Sequence, residues 1–263
     1  MTSNILKRVL VSAAALIGLV FYIWMEVNVP VVRNIDIPIK GFPKGIKLVH
    51  ISDAHGRGIT ENGRLSRAIK SFEPDVIVLT GDMIDKSTVD FNPVLETVKN
   101  LSYVAPVLFI PGNHERANPR GEEFIGLLRK AGASVLLNGA KMIKGVSVCG
   151  VDDINFFLDD IPKSMAVNGR CDILLSHSPA ISGSVKNFYI PLVLSGHTHG
   201  GQVRLPAFGA LLLPDRDIPR HLVKGLVEDG DSKYYISVGL GTSVVPIRFM
   251  NRAEISLITV VPE

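Results

Sequence analysis

The chain has 263 residues, of which 46% are hydrophobic and 20% charged, and its formal net charge at pH 7 is +3. This length is sufficient for one domain with a full hydrophobic core. Because the net charge is small and the sequence has no long run of Lys or Arg, we expect no nucleic-acid partner.

The first predicted element is an uncharged apolar segment at residues 9–25, VLVSAAALIGLVFYIWM. It follows Lys7 and Arg8 directly, and Tyr22 and Trp24 stand near its far end, where an aromatic belt would lie at a membrane surface. A helix of this length is close to the roughly 20 residues needed to span a bilayer. The segment is therefore predicted to be a membrane-anchoring or transmembrane helix.

The flanks of this segment favour an anchor that stays attached. Residues 26–30 offer no small-residue cleavage site, which a cleaved signal peptide would have. Charge does not decide the orientation, because basic residues at Arg33, Lys40 and Lys44 balance those on the other side. We expect residues 1–30 to be an anchor in a bacterial inner or plasma membrane. The side of the membrane on which the rest of the chain lies is left open.

Residues 31–44 are interpreted as a linker, and residues 45–263 as a catalytic domain. In this domain, short β-branched runs alternate with helix-like stretches, a pattern typical of layered α/β proteins. The predicted buried strands are 46–52, 75–81, 107–112, 145–151, 172–178 and 191–197. The predicted helices are 61–72, 92–101 and 121–132.

The carboxyl-terminal third has a different pattern. Strands are predicted at 234–241 and 254–261 with no helix between them, which suggests antiparallel pairing. The chain's two cysteines, Cys149 and Cys171, have no metal-type spacing and neither require nor exclude a disulfide.

Polar turns follow five of the six predicted buried strands. They are Asp53-Ala54-His55, Gly81-Asp82, Gly112-Asn113-His114-Glu115, Ser176-His177 and Gly196-His197-Thr198-His199. Loops at the carboxyl ends of strands in open α/β sheets gather around one crevice, so these side chains are expected to converge. The turns hold five of the seven histidines in the chain.

Each of these residues also has an ordinary structural interpretation. Asp82 could be a helix cap, Asn113 a left-handed turn residue and His177 a core imidazole. Their joint occurrence favours metal ligation, because carboxylate, imidazole and amide groups suit divalent Mn, Fe or Zn. His50 is expected in the core or behind the site, and the role of His221 is left open.

These motifs, in this order, resemble the signature of the calcineurin-like metallophosphoesterases over about residues 45–261. The resemblance implies a four-layer α/β/β/α sandwich and two divalent ions, with manganese favoured. Two ions about 3.5 to 4 Å apart can activate a water and stabilise both oxygens of a phosphoryl displacement.

The roles implied by the resemblance can be carried over residue by residue. The first ion would be held by Asp53, His55 and His199, and the second by Asn113, His177 and His197, with Asp82 as a bridge. His114 would contact the phosphate and protonate the leaving oxygen, and Glu115 would orient His114.

Two stretches also resemble a membrane-associated branch of this family. They are GHTHGGQ and the ending GLGTSVVPIRFMNRAEI, and the branch includes bacterial phosphodiesterases and UDP-2,3-diacylglucosamine pyrophosphatases. Those pyrophosphatases often carry a helical insertion over the site. The interval from Asn113 to His177 contains little beyond one predicted helix and a strand pair.

The apolar loop 205–214, followed by Arg216 and Arg220, has two interpretations. It could contact acyl chains or the bilayer while the arginines bind phosphate, or its leucines could pack under a sheet with the arginines solvated. We expect a membrane-anchored hydrolase of a phosphodiester or pyrophosphate bond, with a lipid-linked nucleotide as a candidate substrate. A monoester phosphatase and a non-catalytic scaffold are the alternatives, and the oligomeric state is left open.

Overall fold

The protein is described from a computed structural model that covers residues 2–211, 213–215, 218–243 and 245–263. Its helices are α1 (Thr2–Asn28), α2 (Arg64–Phe72), α3 (Asn92–Ser102), α4 (Asn113–Ala117), α5 (Gly121–Lys130), α6 (Ile161–Ala166) and α7 (Ser182–Val185). Its strands are β1 (Val31–Ile39), β2 (Ile46–Ile51), β3 (Val76–Thr80), β4 (Val107–Ile110), β5 (Ala133–Val135), β6 (Gly139–Ile143), β7 (Val146–Gly150), β8 (Ile173–Leu175), β9 (Leu192–Ser195), β10 (Arg204–Leu205), β11 (Gly209–Ala210), β12 (Gly225–Asp229), β13 (Ser232–Ile236) and β14 (Glu254–Pro262).

Two six-stranded sheets form the centre of the described fold. The first has the strand order β1-β14-β2-β3-β4-β5 and the second β12-β13-β9-β8-β7-β6. One apolar cluster lies between the sheets, a second lies between the first sheet and α2, α3 and α5, and a third lies between the second sheet and α6 and α7. The sheets and helices thus form the expected metallophosphoesterase-type α/β arrangement.

The strand sequences explain this layering. In β2, Leu48 points to the cluster between the sheets, while Val49 and Ile51 point to the helices. Successive side chains of a strand point to opposite faces, so a strand that is apolar throughout can serve two layers at once. The predicted buried strands therefore lie in the interior of the fold, and their carboxyl ends carry the polar turns.

The prediction that the two carboxyl-terminal strands pair with each other is wrong. β13 pairs with β12 and β9 in the second sheet, whereas β14 pairs with β1 and β2 in the first. After Ile236 the chain crosses between the sheets: Ser237 N–H donates to Ser195 O, and Leu240 N–H donates to Ser52 O. The loop between the two strands therefore passes over the carboxyl ends of β9 and β2.

Much of the segment interpreted as a linker is a strand. β1 pairs in parallel with β14 along its full length, from Val31 opposite Glu254 to Ile39 opposite Pro262. Pro38 is compatible with this strand because β1 lies at the sheet edge, where a missing N–H donor is tolerated. The sequence signal that was interpreted as a linker is thus explained by an edge strand.

The amino-terminal helix α1 has two parts with different surroundings. Residues 4–21 are exposed, and the window from Asn4 to Asn28 is long and apolar enough to cross a membrane. The end of the helix contacts the domain: Glu26 is buried and accepts the Asn251 N–H at 2.7 Å, and the Tyr22 hydroxyl lies 3.2 Å from Met250 N.

Arginines bind the carbonyls at the end of α1 and just beyond it. The Arg57 guanidinium donates to Val27 O at 2.6 Å and to Asn28 O at 2.8 Å. Arg252 Nε donates to Val29 O at 2.5 Å. Cations that satisfy the free carbonyls at a helix carboxyl end stabilise that end. The helix is therefore joined to the domain by fixed contacts rather than by a flexible tether.

His50, in β2, gives the fold a testable pH dependence. Burial lowers the pKa of His50 to about 3, while its Nε2 lies 2.7 Å from Thr80 Oγ1. The unfolded chain takes up a proton near pH 6.5 and the folded chain does not, so the free energy of unfolding should fall by about 1.4 kcal/mol per pH unit below pH 6.5. In His50→Gln this contribution should be lost.

Urea unfolding at pH 7 and pH 5, in detergent with a chelator, measures this difference. The exposed His221 provides the control, since His221→Gln should keep the wild-type pH dependence. An unchanged pH dependence in His50→Gln would contradict the assignment.

Candidate metal centre

The structure brings the predicted polar turns together at one edge of the two sheets. Asp53 and His55 follow β2, Asp82 follows β3, Asn113 and His114 begin α4 after β4, His177 follows β8, and His197 and His199 follow β9. The two sheets therefore contribute facing halves of a single cluster.

The first group of possible ligands is Asp53, His55 and His199, whose ligand atoms lie within 4.8 Å of one another. His55 Nε2 is 3.1 Å from His199 Nε2, and His199 Nε2 is 3.5 Å from Asp53 Oδ1. Two nitrogen ligands at about 2.0–2.1 Å from one ion would be about 2.8–3.0 Å apart in octahedral geometry and about 3.3–3.4 Å apart in tetrahedral geometry. The spacing fits a common ion.

The second group is Asp82, His177 and His197, with Asn113 beside it. His177 Nε2 lies 3.2 Å from Asp82 Oδ2, 3.1 Å from Asn113 Oδ1 and 3.1 Å from His197 Nδ1. These four groups supply oxygen and nitrogen donors that suit Mn, Fe or Zn. The chemistry and spacing of this donor set fit a second divalent ion.

Backbone hydrogen bonds join the two groups. The His197 N–H donates to Asp53 Oδ1 at 3.0 Å, and the His55 N–H donates to Asp82 O at 3.0 Å. His197, from the second group, thus holds the Asp53 carboxylate of the first group. The Asp82 carbonyl, from the second group, holds the backbone of His55. The two groups thus adjoin through Asp53 and Asp82, and the bridging role of the Asp82 carboxylate stays a prediction.

Three of the imidazoles have their outward nitrogen held by an acceptor. His177 Nδ1 donates to Thr80 O at 2.8 Å, His55 Nδ1 lies 2.6 Å from Asp85 Oδ1, and His197 Nε2 lies 2.6 Å from Asp215 Oδ2. With the proton on the outward nitrogen, the lone pair of the other nitrogen points into the cluster. Such hydrogen bonds fix the tautomer of metal-binding histidines.

The backbone at the possible ligands adopts an uncommon conformation. Positive φ angles occur at Asp53 (51°), His55 (48°), Asp82 (51°), His197 (67°) and His199 (50°). A non-glycine residue in this region costs of order 1–3 kcal/mol, and such residues concentrate at functional sites. The turns thus hold polar side chains in place at a cost in stability.

The buried charges strongly perturb one another. Burial disfavours protonation of His177, but the adjacent Asp82 carboxylate raises the His177 pKa well above its usual value. Burial disfavours ionised Asp82 as well, yet the neighbouring His177 lowers the Asp82 pKa. For His199, burial and the nearby His55 and Arg248 lower the pKa. The cluster therefore keeps the Asp82 carboxylate ionised.

His114 lies beside the cluster rather than in the first or second group. Its backbone N–H donates to Asp82 Oδ1 at 2.8 Å, and its Nδ1 is 3.2 Å from Asp85 Oδ1. Its Nε2 is 3.9 Å from Asp82 Oδ2, and its side chain lines a cavity. An imidazole in this position can reach a phosphoryl oxygen bound at the cluster.

The expectation that Glu115 orients His114 is not met. The buried Glu115 carboxylate accepts backbone N–H groups of Gly112 and Asp82 at 2.8 Å, Met83 at 2.7 Å and Ile84 at 3.1 Å. Burial and the Asp82 charge raise the pKa of Glu115 to about 7. Glu115 therefore holds the turns after β3 and β4 together, and Asp85 is the carboxylate beside the His114 ring.

Sequence reasoning missed several supporting residues. Asp85 follows Asp82 by three residues, and Asp215 follows the apolar loop, so both stood next to segments that had been noticed. Arg248 is fully buried and donates to Gly241 O at 2.6 Å and Val238 O at 2.6 Å, and Asn251 Nδ2 donates to His199 O at 2.6 Å. The last two lie in the noted ending GLGTSVVPIRFMNRAEI.

Two cavities open at the cluster. One, of about 340 Å³, has apolar walls at Leu213 and Val245. The other, of about 820 Å³, is bordered by Phe156 and Phe157. Residues lining both cavities include Asn113, His114, His197, Pro214 and Ser243. A group bound at the cluster can therefore extend in two directions.

In the part of the apolar loop 205–214 that the structure describes, three large side chains are exposed and do not pack under a sheet. Leu205, Phe208 and Leu211 are exposed, at 38%, 77% and 49% of their surfaces. Arg220 is also exposed and is not among the described residues lining the two cavities, so the structure does not bring it to the cluster. Arg216 lies outside the described residues.

The comparisons agree with this geometry. Residues 46–201 match the calcineurin-like phosphoesterase family, so the chain belongs to that family. The chain is 28% identical over 227 residues to an uncharacterized metallophosphoesterase, YkuE, of Bacillus subtilis, with 82% of this chain and 79% of the relative covered. The family and these relatives establish a hydrolase of phosphoric esters that uses divalent metals.

Other proteins are similar over comparable lengths. An uncharacterized metallophosphoesterase of Aquifex aeolicus is 29% identical over 245 residues, which are 87% of this chain and 91% of the relative. The structure of the NAD nucleotidase of Haemophilus influenzae overlaps 74% of this chain and 45% of its own, at 17% identity and a TM-score of 0.44. A structural similarity this low does not indicate a substrate for this chain.

Asp215 supplies a test of the second group. Removing the carboxylate that holds His197 Nε2 should weaken binding of one manganese ion about 10- to 100-fold, the usual cost of losing such a partner. Isothermal titration of Asp215→Ala with manganese chloride measures this loss. The exposed Asp231 is the control, because Asp231→Ala should bind like wild type, and equal affinities in all three proteins would rule out the role of Asp215.

Proposed function

We propose that the protein is a membrane-anchored, binuclear metal-dependent hydrolase of a phosphodiester or pyrophosphate bond. Asp53, His55 and His199 would hold one ion, Asn113, His177 and His197 would hold the other, and Asp82 would contribute to both. When bound, the ions polarise the phosphoryl oxygens and activate a water as nucleophile. The family membership and the two groups of converging ligand atoms support this assignment.

The chain's own residues would position the phosphate and move one proton. His114, at the cavity wall, binds a phosphoryl oxygen and donates a proton to the leaving oxygen. Asp85, 3.2 Å from His114 Nδ1, keeps the imidazole oriented. The backbone N–H groups that bind Glu115 hold the Asp82 and Asn113 turns at a fixed separation.

The observation that favours a diester or pyrophosphate over a monoester is the pair of cavities that meet at Asn113, His114 and His197. A diester or pyrophosphate carries a substituent on each side of the reacting bond, and each cavity can hold one. A monoester would leave one cavity filled only with water. The apolar walls at Val245 and Phe156 suit substituents with hydrophobic parts.

Lipid-linked nucleotides such as UDP-2,3-diacylglucosamine fit this description. They pair a nucleotide with acyl chains across a pyrophosphate, and an enzyme with a helix like α1 would meet them at the membrane. Arg216 is retained as a proposed contact for a substrate phosphate, and Arg220 is not, because it lies away from the cluster. A non-catalytic scaffold is disfavoured by the intact donor set, and metal analysis distinguishes the two, because a scaffold would hold fewer than two ions.

Purified full-length protein in detergent should hydrolyse bis-p-nitrophenyl phosphate when manganese is added, and should act more slowly on p-nitrophenyl phosphate. Loss of the proton donor in His114→Ala should lower kcat about 10²- to 10⁴-fold. Asp82→Ala should lose both activity and stoichiometric binding of two ions. Wild-type rates in either variant would refute the site, and a preference for the monoester would replace the diester assignment.

Asp85 is expected to act through the imidazoles it contacts. Asp85→Asn should lower kcat about tenfold or more with little change in KM, because the rings of His55 and His114 lose the carboxylate that orients them. Asp90, an exposed aspartate on the same loop, provides the control as Asp90→Asn. An unchanged kcat in Asp85→Asn would mean that Asp85 does not orient the two rings.

A further inference from the structure

The largest exposed apolar side chains outside α1 include a set beside the metal centre, on two neighbouring loops. The first loop contains the β10–β11 hairpin, with Leu205 and Phe208 exposed. The second is residues 245–250, with Ile247 and Met250 exposed at 39% and 48%. Soluble surfaces seldom group such side chains without a partner. We refer to residues 203–211 and 245–250 together as the apolar rim.

The two loops of the apolar rim are joined by backbone contacts. Val203 forms a β-bridge with Phe249, and the Arg204 N–H donates to Phe249 O at 3.0 Å. Phe249 N–H in turn donates to Gln202 O at 3.1 Å. The hairpin and the second loop therefore form one continuous surface rather than two separate loops.

The same surface contacts the end of α1. The Phe249 ring meets the Tyr22 ring edge to face at 5.5 Å between centroids, and Met250 N lies 3.2 Å from the Tyr22 hydroxyl. Trp24 and Phe21, both exposed, stack on each other at 6.0 Å on the same part of the helix. The apolar surface thus continues from the helix onto the domain.

The length of α1 fixes where this contact lies relative to a bilayer. A perpendicular span needs about 20 residues, so a span that begins after Arg8 reaches to about residue 28. Tyr22 then lies roughly six residues, or about 9 Å, inside that end of the span, and Phe249 and Met250 are held at the same depth by their contacts with it. Side chains at that depth are expected to be apolar, as Ile247 and Met250 are.

Charged groups lie where the headgroups would be. Arg57 and Arg252 bind the carbonyls of residues 27–29, and Arg64 binds the carbonyl of Pro30. Basic side chains at this level are attracted to anionic lipids. Apolar side chains at the level of Tyr22 and cations at the level of Pro30 form the order expected of a surface that dips into one leaflet.

We propose that the apolar rim docks into the bilayer around α1, so that the smaller cavity is entered from the membrane and the substrate is a phosphoester carrying acyl chains. The cavity walls Leu213 and Val245 adjoin the exposed rim and give the acyl chains a continuous apolar path to the metal centre. This inference rests on the proposed function and adds the source of its substrate.

The test uses full-length protein in phosphatidylcholine vesicles that contain lipids brominated along their acyl chains, which quench nearby tryptophan. Trp24 is the single tryptophan of the chain and reports on α1 itself. Phe208→Trp in a Trp24→Phe background reports on the rim. Tyr189→Trp in the same background is the matched control, because Tyr189 is exposed in the loop that precedes β9, at the opposite end of that strand from the metal centre.

Quenching of Trp24 and of tryptophan at 208, with none at 189, is the expected result. Quenching of Trp24 without quenching at 208 would overturn the docking of the rim and leave the anchor and the hydrolase intact. An unquenched Trp24 would overturn the anchor and the docking together. Hydrolysis of the soluble diester, measured on the same vesicles, reports separately on the proposed hydrolase.

A kinetic experiment tests the entry path. The double variant Phe208→Ser, Ile247→Ser should hydrolyse the soluble diester at the wild-type rate, because neither residue lines a cavity at the site. Its rate on CDP-diacylglycerol in vesicles should fall about tenfold or more, given the apolar surface removed from the interface. An equal loss on both substrates, or no loss on either, would contradict entry from the membrane.

Discussion

The structure depends on one requirement, which is that several buried imidazoles and carboxylates must point their lone pairs at the same small volume. Burying such groups without partners would cost several kcal/mol. The protein meets the requirement by satisfying the outward side of each ring: Thr80 O accepts from His177, and carboxylates at Asp85 and Asp215 face His55 and His197. The inward nitrogens are then available as ligands for cations.

The same requirement explains the glycines in the motifs. A Cβ on Gly196 would collide with the Ser52 hydroxyl and the Asp53 carboxylate, and a Cβ on Gly112 would collide with the Asp82 carboxylate. The two β-sheets can therefore bring their strand ends together only where a side chain is missing. Because the strand ends lie so close together, ligands from both sheets converge on one small volume. The positive φ angles at His197 and His199 show that this arrangement also requires strained backbone, which costs stability.

The buried strands and the polar turns could be predicted because each is marked by a short, continuous stretch of sequence. Buried strands are marked by apolar runs, and the polar turn after each run marks its carboxyl end, which is enough to identify the site and its possible ligands. Long-range pairing was not predictable in this way: β13 and β14 are adjacent in sequence but belong to different sheets, and β1 was hidden by Pro38 at a sheet edge. The role of Glu115 was misassigned because sequence adjacency to His114 does not show that its carboxylate turns toward backbone N–H groups.

The connection between α1 and the metal centre is short, so the amino-terminal helix also contacts residues that support the candidate ligands. Glu26 accepts from the Asn251 N–H, and the Asn251 side chain donates to the carbonyl of His199. A single residue thus separates the helix from a possible ligand. Because this residue and its neighbour Arg248 are buried and hydrogen-bonded, a tilt of the helix would have to move the turn that carries His199. The position of α1 on the domain and the geometry of the candidate metal centre are therefore set by the same contacts.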